Sequence, residues 1–220
     1  MKASPTRTIS NKKKNGENLA TLERYVEMQV KENTYDLEAS LAVLKLYQFN
    51  PTYFQTQITS LILLKALTNL PHTDFILCKC LIDTARLEEE QLKGVIKIAD
   101  MLEMCQFKDF WDYVKEEEDL ISGVLGFEDS IRKFICHVVS ATFQTVEKSY
   151  LQEVLGGIND LQINQWISKY GWSVQANGVV FVNAQDDNIK TKNIREKITF
   201  DSKYSVCFSG SYILKSLYNC

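Results

Sequence analysis

Apolar residues at helical spacing over most of the chain place the strongest limit on its fold. From near Glu17 to about residue 147, leucine, isoleucine, valine and aromatic side chains recur every three or four positions. This period buries one face of an α-helix. The connections between successive helical segments are short, which favours antiparallel helix hairpins stacked side by side. The sequence therefore predicts a mainly α chain in which residues 17–156 form a HEAT-like helical-repeat domain.

Apolar stripes and stop signals predict where the individual helices lie. Two stripes precede Asn50, which is predicted to cap a third helix that has Pro51 at its first position. The third helix is apolar over most of its circumference and includes Leu61, so it is expected in the core. Pro71 ends it. Further helices are predicted at about 74–87, 91–105, 108–121 and 127–147.

The pattern changes near residue 156. Asn159 and Gln162 have the spacing of a capping box at a helix start, and Gly171 fits the position just beyond the end of that helix. Two short strand-like runs follow, joined by Asn177-Gly178, a dipeptide that favours a tight hairpin turn. Two helices and a β-hairpin predict a winged-helix domain over 157–201. The strands are expected at 172–174 and 179–182, and a further short helix is expected to begin at Asn193.

Charge divides the chain into an acidic body between two basic ends. Residues 1–16 contain five basic side chains and no acidic one, and they are predicted to form a disordered basic tail. Residues 17–156 carry 23 acidic and 13 basic side chains, whereas 157–220 carry five acidic and seven basic ones. An acidic body repels a phosphate backbone, so extended nucleic-acid contact is not expected. The run Lys12-Lys13-Lys14 fits a solvated tail, with RNA contact as the alternative.

Cysteine usage and hydropathy indicate the cellular compartment. The six cysteines form no dense framework, and several lie within apolar helical patterns, as expected for free thiols in a reducing compartment. The first residues lack the apolar core of a secretory signal. No apolar run reaches the roughly 20 residues that span a bilayer. The chain is therefore expected inside the cell, without membrane contact.

The sequence contains no residue pattern typical of catalysis, cofactor binding or metal binding. Cys78 and Cys80 lie two positions apart on a predicted helix and therefore point in nearly opposite directions, which favours packing over a shared metal ion. Cys136-His137 is an adjacent pair within an apolar helix, and His72 lies at a helix junction. We therefore predict a non-enzymatic protein without a catalytic site, cofactor or metal.

The second helix of the predicted winged helix is the one that a DNA reader places in the major groove. This stretch, residues 161–169, contains a single cation, Lys169, which is too little charge for ordinary duplex binding. Protein contact is the favoured use, with Lys169, Tyr170 and Trp172 as interface residues. Trp172 is expected to face outward because it follows the helix stop, whereas Trp166 is expected to pack inside the small domain.

Four segments carry a resemblance to a known family. Over about 17–201 the chain resembles the k subunits of eukaryotic translation initiation factor 3, a family that shares its architecture with small subunits of the proteasome lid and the COP9 signalosome. The resemblance implies a PCI-like fold, in which a winged helix follows a helical-repeat domain. The four segments are 65–83, which contains Pro71-His72-Thr73-Asp74-Phe75, and 126–130, 132–139 and 168–173.

The resemblance also implies a function. It implies a cytoplasmic, non-catalytic scaffold subunit of the initiation factor, which supports assembly of initiation complexes on the small ribosomal subunit. The expected partners are the other subunits of the factor, chiefly subunit l, and the small ribosomal subunit. An RNA-binding winged-helix adaptor is the alternative, supported by the basic tail and the positive balance of 157–220.

The last residues of the chain depart from this pattern. The resemblance fades after Asp201, and residues 202–220 are more apolar than the short polar end typical of the family. This divergent tail is either an additional partner-binding element or the product of an alternative exon.

Overall fold

The computed structural model describes residues 5–175 and 177–183, with side chains from Asn18. These residues form eleven α-helices, one 3₁₀ turn and a sheet of three short strands, which confirms the predicted mainly α class with a small sheet near the C-terminus. None of the helices in this part of the chain is long and apolar enough to cross a membrane. The helices are α1 Pro5–Glu32, α2 Leu37–Phe49, α3 Thr56–Leu67, α4 Asp74–Cys80, α5 Thr84–Leu87, α6 Glu90–Glu103, α7 Phe107–Glu116, α8 Glu118–Ile121, α9 Phe127–Thr142, α10 Lys148–Val154 and α11 Asp160–Lys169; the 3₁₀ turn is Pro51–Tyr53, and the strands are β1 Thr145–Glu147, β2 Ser173–Val174 and β3 Val179–Phe181.

Two compact units divide the chain, Met1–Phe134 and Ile135–Cys220. The division falls inside α9, so the predicted domain boundary at 156–157 lies within the second unit. Strand β1 and helix α10 belong to this second unit as well. A boundary at 156–157 remains a prediction about independent folding. The short helix predicted at Asn193 and the divergent tail lie outside the described residues.

Helix α3 forms the centre of the first unit, where it packs against α1, α4 and α6. Its polar Thr59 side chain is buried but donates a hydrogen bond to the Gln55 carbonyl at 2.9 Å. The prediction that this helix lies in the core is confirmed. Leu61, however, is only half-buried. The buried residues are Ile58, Thr59, Ser60, Ile62, Leu63, Leu64, Lys65, Ala66 and Leu67.

A buried lysine connects three parts of the first unit. Lys65 is 3% exposed, and its Nζ donates a hydrogen bond to Asn33 Oδ1 at 3.1 Å. Asn33 follows α1 in the left-handed conformation, with φ 53°, and its amide Nδ2 lies 2.7 Å from where a Cβ on Gly126 would be. The Leu125 N–H donates to the Val30 carbonyl at 3.3 Å. The end of α1, the last turn of α3 and the loop before α9 are thereby held together.

A second polar cluster joins the segment before α2 and the segment after α3 to the start of α4, around the carboxylate of Asp74. Tyr35 donates its hydroxyl hydrogen to Asp74 Oδ2 at 2.7 Å, and Asn69 Nδ2 donates to the same oxygen at 2.6 Å. Asp74 is buried, so these two donors satisfy a charge that would otherwise be costly to desolvate. Burial, and then the hydrogen bond to Asp74, raises the pKa of Tyr35. The cluster is structural, and it explains the polar residues at this helix junction.

Helix α1 begins at Pro5, about three turns before the predicted helix start near Glu17. The structure differs here from the disordered tail predicted for residues 1–16. Proline fits the first turn of a helix, where its missing N–H is not needed, and lysine is a good helix former. Basic composition therefore did not determine the local structure of this segment.

Helix α3 begins later than predicted. Asn50 makes no capping hydrogen bond, and Pro51 opens a 3₁₀ turn instead of the helix itself. The chain then turns so that the Phe54 ring packs on Tyr47, with the ring centroids 5.3 Å apart. The helix starts only at Thr56, because Phe54 and Gln55 before it have extended ψ angles of 127° and 114°.

Two further helices that were predicted as continuous are divided. The stretch 74–87 contains α4 and α5, because the Asp83 side chain accepts a hydrogen bond from the Ala85 N–H at 3.1 Å and caps a new helix start. The stretch 108–121 contains α7 and α8, which are separated at Glu117, where φ is −115° and ψ is 50°. Each break depends on a single residue, and the hydropathy pattern of the sequence does not indicate either position as a helix end.

The second unit contains the sheet, in which both pairings are antiparallel and the strand order is β1-β3-β2. Val146 of β1 lies opposite Val180 of β3, and both side chains are buried. The predicted helix over 127–147 is therefore wrong beyond Thr142, because the segment after it pairs as a strand. The predicted hairpin of β2 and β3 is confirmed, with Gly178 at φ 78° in its turn.

Candidate protein-interaction surface

Helix α11 carries two of the three predicted interface positions at or near its end, and a capping box fixes its start. Asn159 Oδ1 accepts a hydrogen bond from the Gln162 N–H at 2.8 Å, and the Gln162 side chain accepts one from the Asn159 N–H at 3.3 Å. The reciprocal pair satisfies two N–H groups that helix geometry leaves without partners. The capping box predicted from the sequence is confirmed.

The end of α11 is equally well defined. Gly171 has φ 69° and donates its N–H to the Ser168 carbonyl at 3.1 Å, while the Trp172 N–H donates to the Ile167 carbonyl at 3.0 Å. These two bonds form a Schellman motif, in which glycine takes the left-handed position without strain. The predicted role of Gly171 as the helix stop is confirmed.

The same motif explains why Trp172 is buried. A Schellman motif commonly brings the second residue beyond the helix into apolar contact with its last turn. Trp172 is 7% exposed, and Ile167, whose carbonyl it contacts, is buried too. The prediction that the Trp172 ring faces outward is wrong. Trp172 can therefore contribute to an interface only indirectly, by supporting the Tyr170 ring that it contacts.

The half-buried aromatic residues of α11 form a stack above Trp172. The Trp166 and Tyr170 rings are 6.2 Å apart and inclined by 23°, and the Tyr170 and Trp172 rings are 5.3 Å apart. Lys169 places its Nζ 4.6 Å from the Trp166 ring centroid, a cation–π contact. Trp166 is only half-buried, which differs from the prediction that it packs inside the small domain.

Leu161 also belongs to this surface, although nothing in the sequence indicated it as an interface residue. It is apolar but 76% exposed. It lies one turn before Gln165 and two turns before Lys169, in the same row of the helix. Only Ile163 and Ile167 of α11 are buried, and they lie on the opposite side. We call Leu161, Gln165, Trp166, Lys169 and Tyr170 the α11 surface.

The α11 surface has the chemistry of a protein contact. Leu161 and the aromatic stack offer apolar area, and Gln165 and Lys169 offer a polar edge. Lys169 is the only cation within α11, and the one acidic residue of this helix, Asp160, is paired with Lys148 at 3.0 Å. A single cation gives little attraction for a phosphate backbone, whereas an aromatic anchor beside a charge is typical of protein interfaces.

The nearest thiol does not add reactive chemistry to this surface. Cys136 is buried, and burial raises its pKa to about 12, while nearby Lys169 lowers it by a smaller amount. A thiol with such a pKa is protonated at neutral pH and is a poor nucleophile. Burial, and then Cys136, raises the pKa of Tyr170.

The other three cysteines in the described part of the chain differ in burial. Cys78 is buried and Cys80 is exposed, so the two side chains lie on different sides of α4, as predicted. Burial raises the pKa of Cys78 to about 12 and also raises that of the half-buried Cys105. Among the residues that the structure describes, no group of three or more histidine, cysteine, aspartate or glutamate side chains is placed to hold a metal ion.

A concave surface on the first unit is a second place where an apolar side chain could bind. The cavity has a volume of about 270 Å³ and lies between the end of α2, the 3₁₀ turn and the segment between α4 and α5. Arg86 stacks over the Phe54 ring at 4.8 Å and bonds to Glu89 at 2.9 Å, so its charge is already neutralised. The cavity depends on the turn at Pro51, so the sequence alone did not indicate it.

Comparison with known proteins identifies the family. The model of the CSN8/PSMD8/EIF3K family matches residues 53–193. The eukaryotic translation initiation factor 3 subunit K of Homo sapiens is 58% identical over 196 residues, 89% of this chain and 90% of its own length. The subunit K of Xenopus tropicalis is 61% identical over the same shares, and that of Bombyx mori is 56% identical over 187 residues, 85% of each chain. Because the matched residues include α3 to α11 and the whole sheet, the chain belongs to the CSN8/PSMD8/EIF3K family.

Proposed function

We propose that this chain is a subunit of eukaryotic translation initiation factor 3 and acts as a scaffold. The observation that carries the proposal is the identity of 58–61% to vertebrate proteins that bear the name of subunit K, over 89% of the chain. Identity at this level across both compact units favours conservation of the whole molecule's role rather than of one part. The scaffold supports assembly of initiation complexes on the small ribosomal subunit, in the cytoplasm.

The proposed mechanism is binding without catalysis. Two of the cysteines are buried with a raised pKa, and the aromatic and polar groups of the α11 surface are arranged for contact rather than for proton transfer. A helical array buries each hairpin against the next and leaves lateral surfaces for partners. The chain therefore contributes shape and buried area to its complex, and it needs no cofactor.

Within the factor, we place the main contact at the α11 surface and name subunit l as its chief partner. Lys169 and Tyr170 lie in this surface, and Trp172 supports the Tyr170 ring from beneath. Leu161, two helical turns before Lys169 in the same row, adds a separate exposed apolar side chain. The exposed leucine and the stacked aromatic rings give the combination of apolar anchor and polar edge that protein partners use.

Affinity purification tests this function. A tagged chain is expressed in eukaryotic cells, and the purified material is separated on a density gradient. We expect the other subunits of the factor in stoichiometric amounts, with part of the material in the fractions of the small ribosomal subunit. Recovery of the tagged chain alone, or with an unrelated complex, would contradict the proposal.

The RNA-binding alternative has its own test. If the chain reads RNA directly, the purified protein should bind a labelled RNA with an affinity that falls steeply as salt rises, because each phosphate contact releases counterions. We expect weak binding, since the 17–156 body carries 23 acidic and 13 basic side chains. Submicromolar binding with a steep salt slope would favour the adaptor over the scaffold.

A further inference from the structure

An open groove in the first unit combines apolar lining with an acidic rim. It has a volume of about 450 Å³ and lies between α8, the loop before α9 and the first residues of α9. Leu125, which is 59% exposed, lines it together with the half-buried Ile121 and the buried Phe127. We call this feature the Leu125 groove. A single exposed leucine is ordinary on a protein surface, but one in a concavity offers a bound side chain contact on several sides.

The backbone around Leu125 is anchored to the end of α1. The Leu125 N–H donates a hydrogen bond to the Val30 carbonyl at 3.3 Å. The next residue, Gly126, lies against Asn33 in the left-handed conformation, with φ 74°, which glycine adopts without strain. Because the loop is already held in place, a partner that binds Leu125 has less conformational entropy to remove.

The charged side chains that line the groove are mainly acidic. They include the carboxylates of Glu118, Glu128 and Asp129 and the guanidinium of Arg132. Arg132 donates to Glu128 Oε2 at 2.8 Å and to Asp129 Oδ1 at 3.1 Å, and its side chain is only 16% exposed. Both of these carboxylates remain exposed, and a carboxylate has about four acceptor positions. The groove therefore presents a negative charge to an approaching ligand.

We propose that the Leu125 groove binds a basic segment of another protein. One large apolar side chain of that segment enters the groove beside Leu125, and neighbouring lysine or arginine side chains contact the carboxylates of the rim. The apolar side chain contributes buried area, while the charges orient the segment and speed its association. The groove belongs to the first unit, so this contact uses none of the residues of the α11 surface.

Charge favours this occupant over the others that a groove of this kind could take. A nucleic acid or an acidic segment would be repelled by the three carboxylates. The start of α9 would attract an anion, but Glu128 and Asp129 already place two carboxylates in its first turn. In a symmetric pair of copies the same surface meets itself, so acidic groups would face acidic groups. A basic segment from a different protein has none of these costs.

Peptide selection on the full chain tests the proposal. A phage-displayed library of random peptides about 15 residues long, enough for roughly four helical turns, is selected on the immobilised protein. The enriched peptides are then synthesised with a fluorescent label and titrated with the protein by anisotropy. We expect peptides in which a large apolar residue is flanked by lysine or arginine. Enrichment of acidic peptides only, or of no peptide at all, would overturn the proposal.

Variants of the groove show whether the basic peptides bind there. Leu125→Ser and Glu118→Lys should each weaken peptide binding by roughly tenfold or more, as expected for loss of an anchor or reversal of a contacting charge. Leu77→Ser is the control for the first variant, because Leu77 is another exposed leucine of the same unit. Glu38→Lys is the control for the second, since Glu38 and Glu118 are both exposed glutamates in the first turn of a helix. Basic peptides that bind all of these proteins equally would overturn the proposal.

Melting temperature and oligomeric state complete the test. Leu125 and Glu118 are exposed, so both variants should keep the melting temperature of the natural chain, and either variant alone decides where the peptides bind. Analytical ultracentrifugation of the natural chain should show no dimer that depends on the groove. A dimer that dissociates in Leu125→Ser would assign the groove to a second copy of the chain and overturn the proposal.

Discussion

At the scale of single residues, Lys65 is a cation held in the core by one amide oxygen. Removal from water lowers its pKa, because burial disfavours the charged form. Between this lowered value and the ordinary 10.5, the unfolded chain binds more protons than the folded one. The free energy of unfolding contributed by Lys65 therefore increases with pH over that interval.

We expect the contribution of Lys65 to the pH dependence of the unfolding free energy to be absent from the Lys65→Met variant. Denaturant unfolding of both proteins between pH 7 and pH 10 gives the difference in unfolding free energy, in which titration of all other groups cancels. The variant's stability relative to the natural chain should be highest near pH 7 and should fall as pH rises. Parallel curves would mean that the Lys65 amine has an ordinary pKa in the folded state.

The buried thiols give a second prediction at this scale. Cys78 and Cys136 are fully buried with a pKa of about 12, whereas Cys80 is exposed. With a disulfide reagent at pH 8, Cys80 should react at least about 100-fold faster than the two buried thiols, which react only from a locally open state. Mass mapping of the labelled peptides checks the order of labelling among Cys78, Cys80 and Cys136. Fast labelling of Cys136 would contradict its burial.

Substitutions at Trp172 and Lys169 distinguish a residue that stabilises the fold from one that binds a partner. Trp172→Ala should lower the unfolding free energy by about 3–5 kcal/mol, the usual cost of truncating a buried aromatic side chain. Lys169→Glu should leave the melting temperature unchanged and weaken capture of the other initiation-factor subunits by at least about fivefold. Lys45→Glu on α2 is the charge-matched control, since Lys45 is also exposed. If Lys45→Glu weakens capture equally, the effect is general electrostatics and not the α11 surface.

At the scale of secondary-structure elements, neighbouring leucines of α3 differ in how deeply they are buried. Leu63 is fully buried, whereas Leu61 is half-buried and lies near Gly123. Leu63→Ala should cost about 2–5 kcal/mol, because the surrounding helices leave a cavity. Leu61→Ala should cost clearly less, and the pair is compared by urea unfolding. Equal losses would mean that Leu61 packs as deeply as Leu63.

The helices and strands also show which parts of the fold could be predicted from the sequence. The ends of α11 were predictable, because capping boxes and glycine stops depend on residues a few positions apart, here Asn159, Gln162 and Gly171. Strand β1 was not, since three residues become a strand only through pairing with β3 far along the chain.

The candidate site was predictable in position but not in detail. The sequence pointed to the end of α11 through Lys169 and Tyr170, and both lie in the α11 surface. It gave the wrong exposure for Trp172, because the burial of a residue just past a helix depends on the loop geometry. The exposed Leu161 is apolar, and hydropathy alone assigns such residues to the core.

At the scale of the whole molecule, the sheet determines which fragments can fold. A fragment of 157–220 lacks β1, so β3 would lose one of its two partners and expose Val180. Because loss of β1 removes the third strand and the buried Val146–Val180 pair, this fragment should be unfolded. A fragment of 126–220, which retains α9 and β1, should show dispersed amide resonances. Folding of the shorter fragment would support the boundary predicted at 156–157.

The distribution of tryptophan has a practical consequence for spectroscopy. The chain has three tryptophans: the buried Trp111 in the first unit, and Trp166 and Trp172 in the second. Each unit therefore carries its own intrinsic fluorophore, and Trp111→Phe would leave emission from the second unit alone. Trp166 is half-buried and touched by Lys169, so its emission should shift when a neighbouring subunit displaces water from α11. Assembly of the complex could then be followed in real time without any added label.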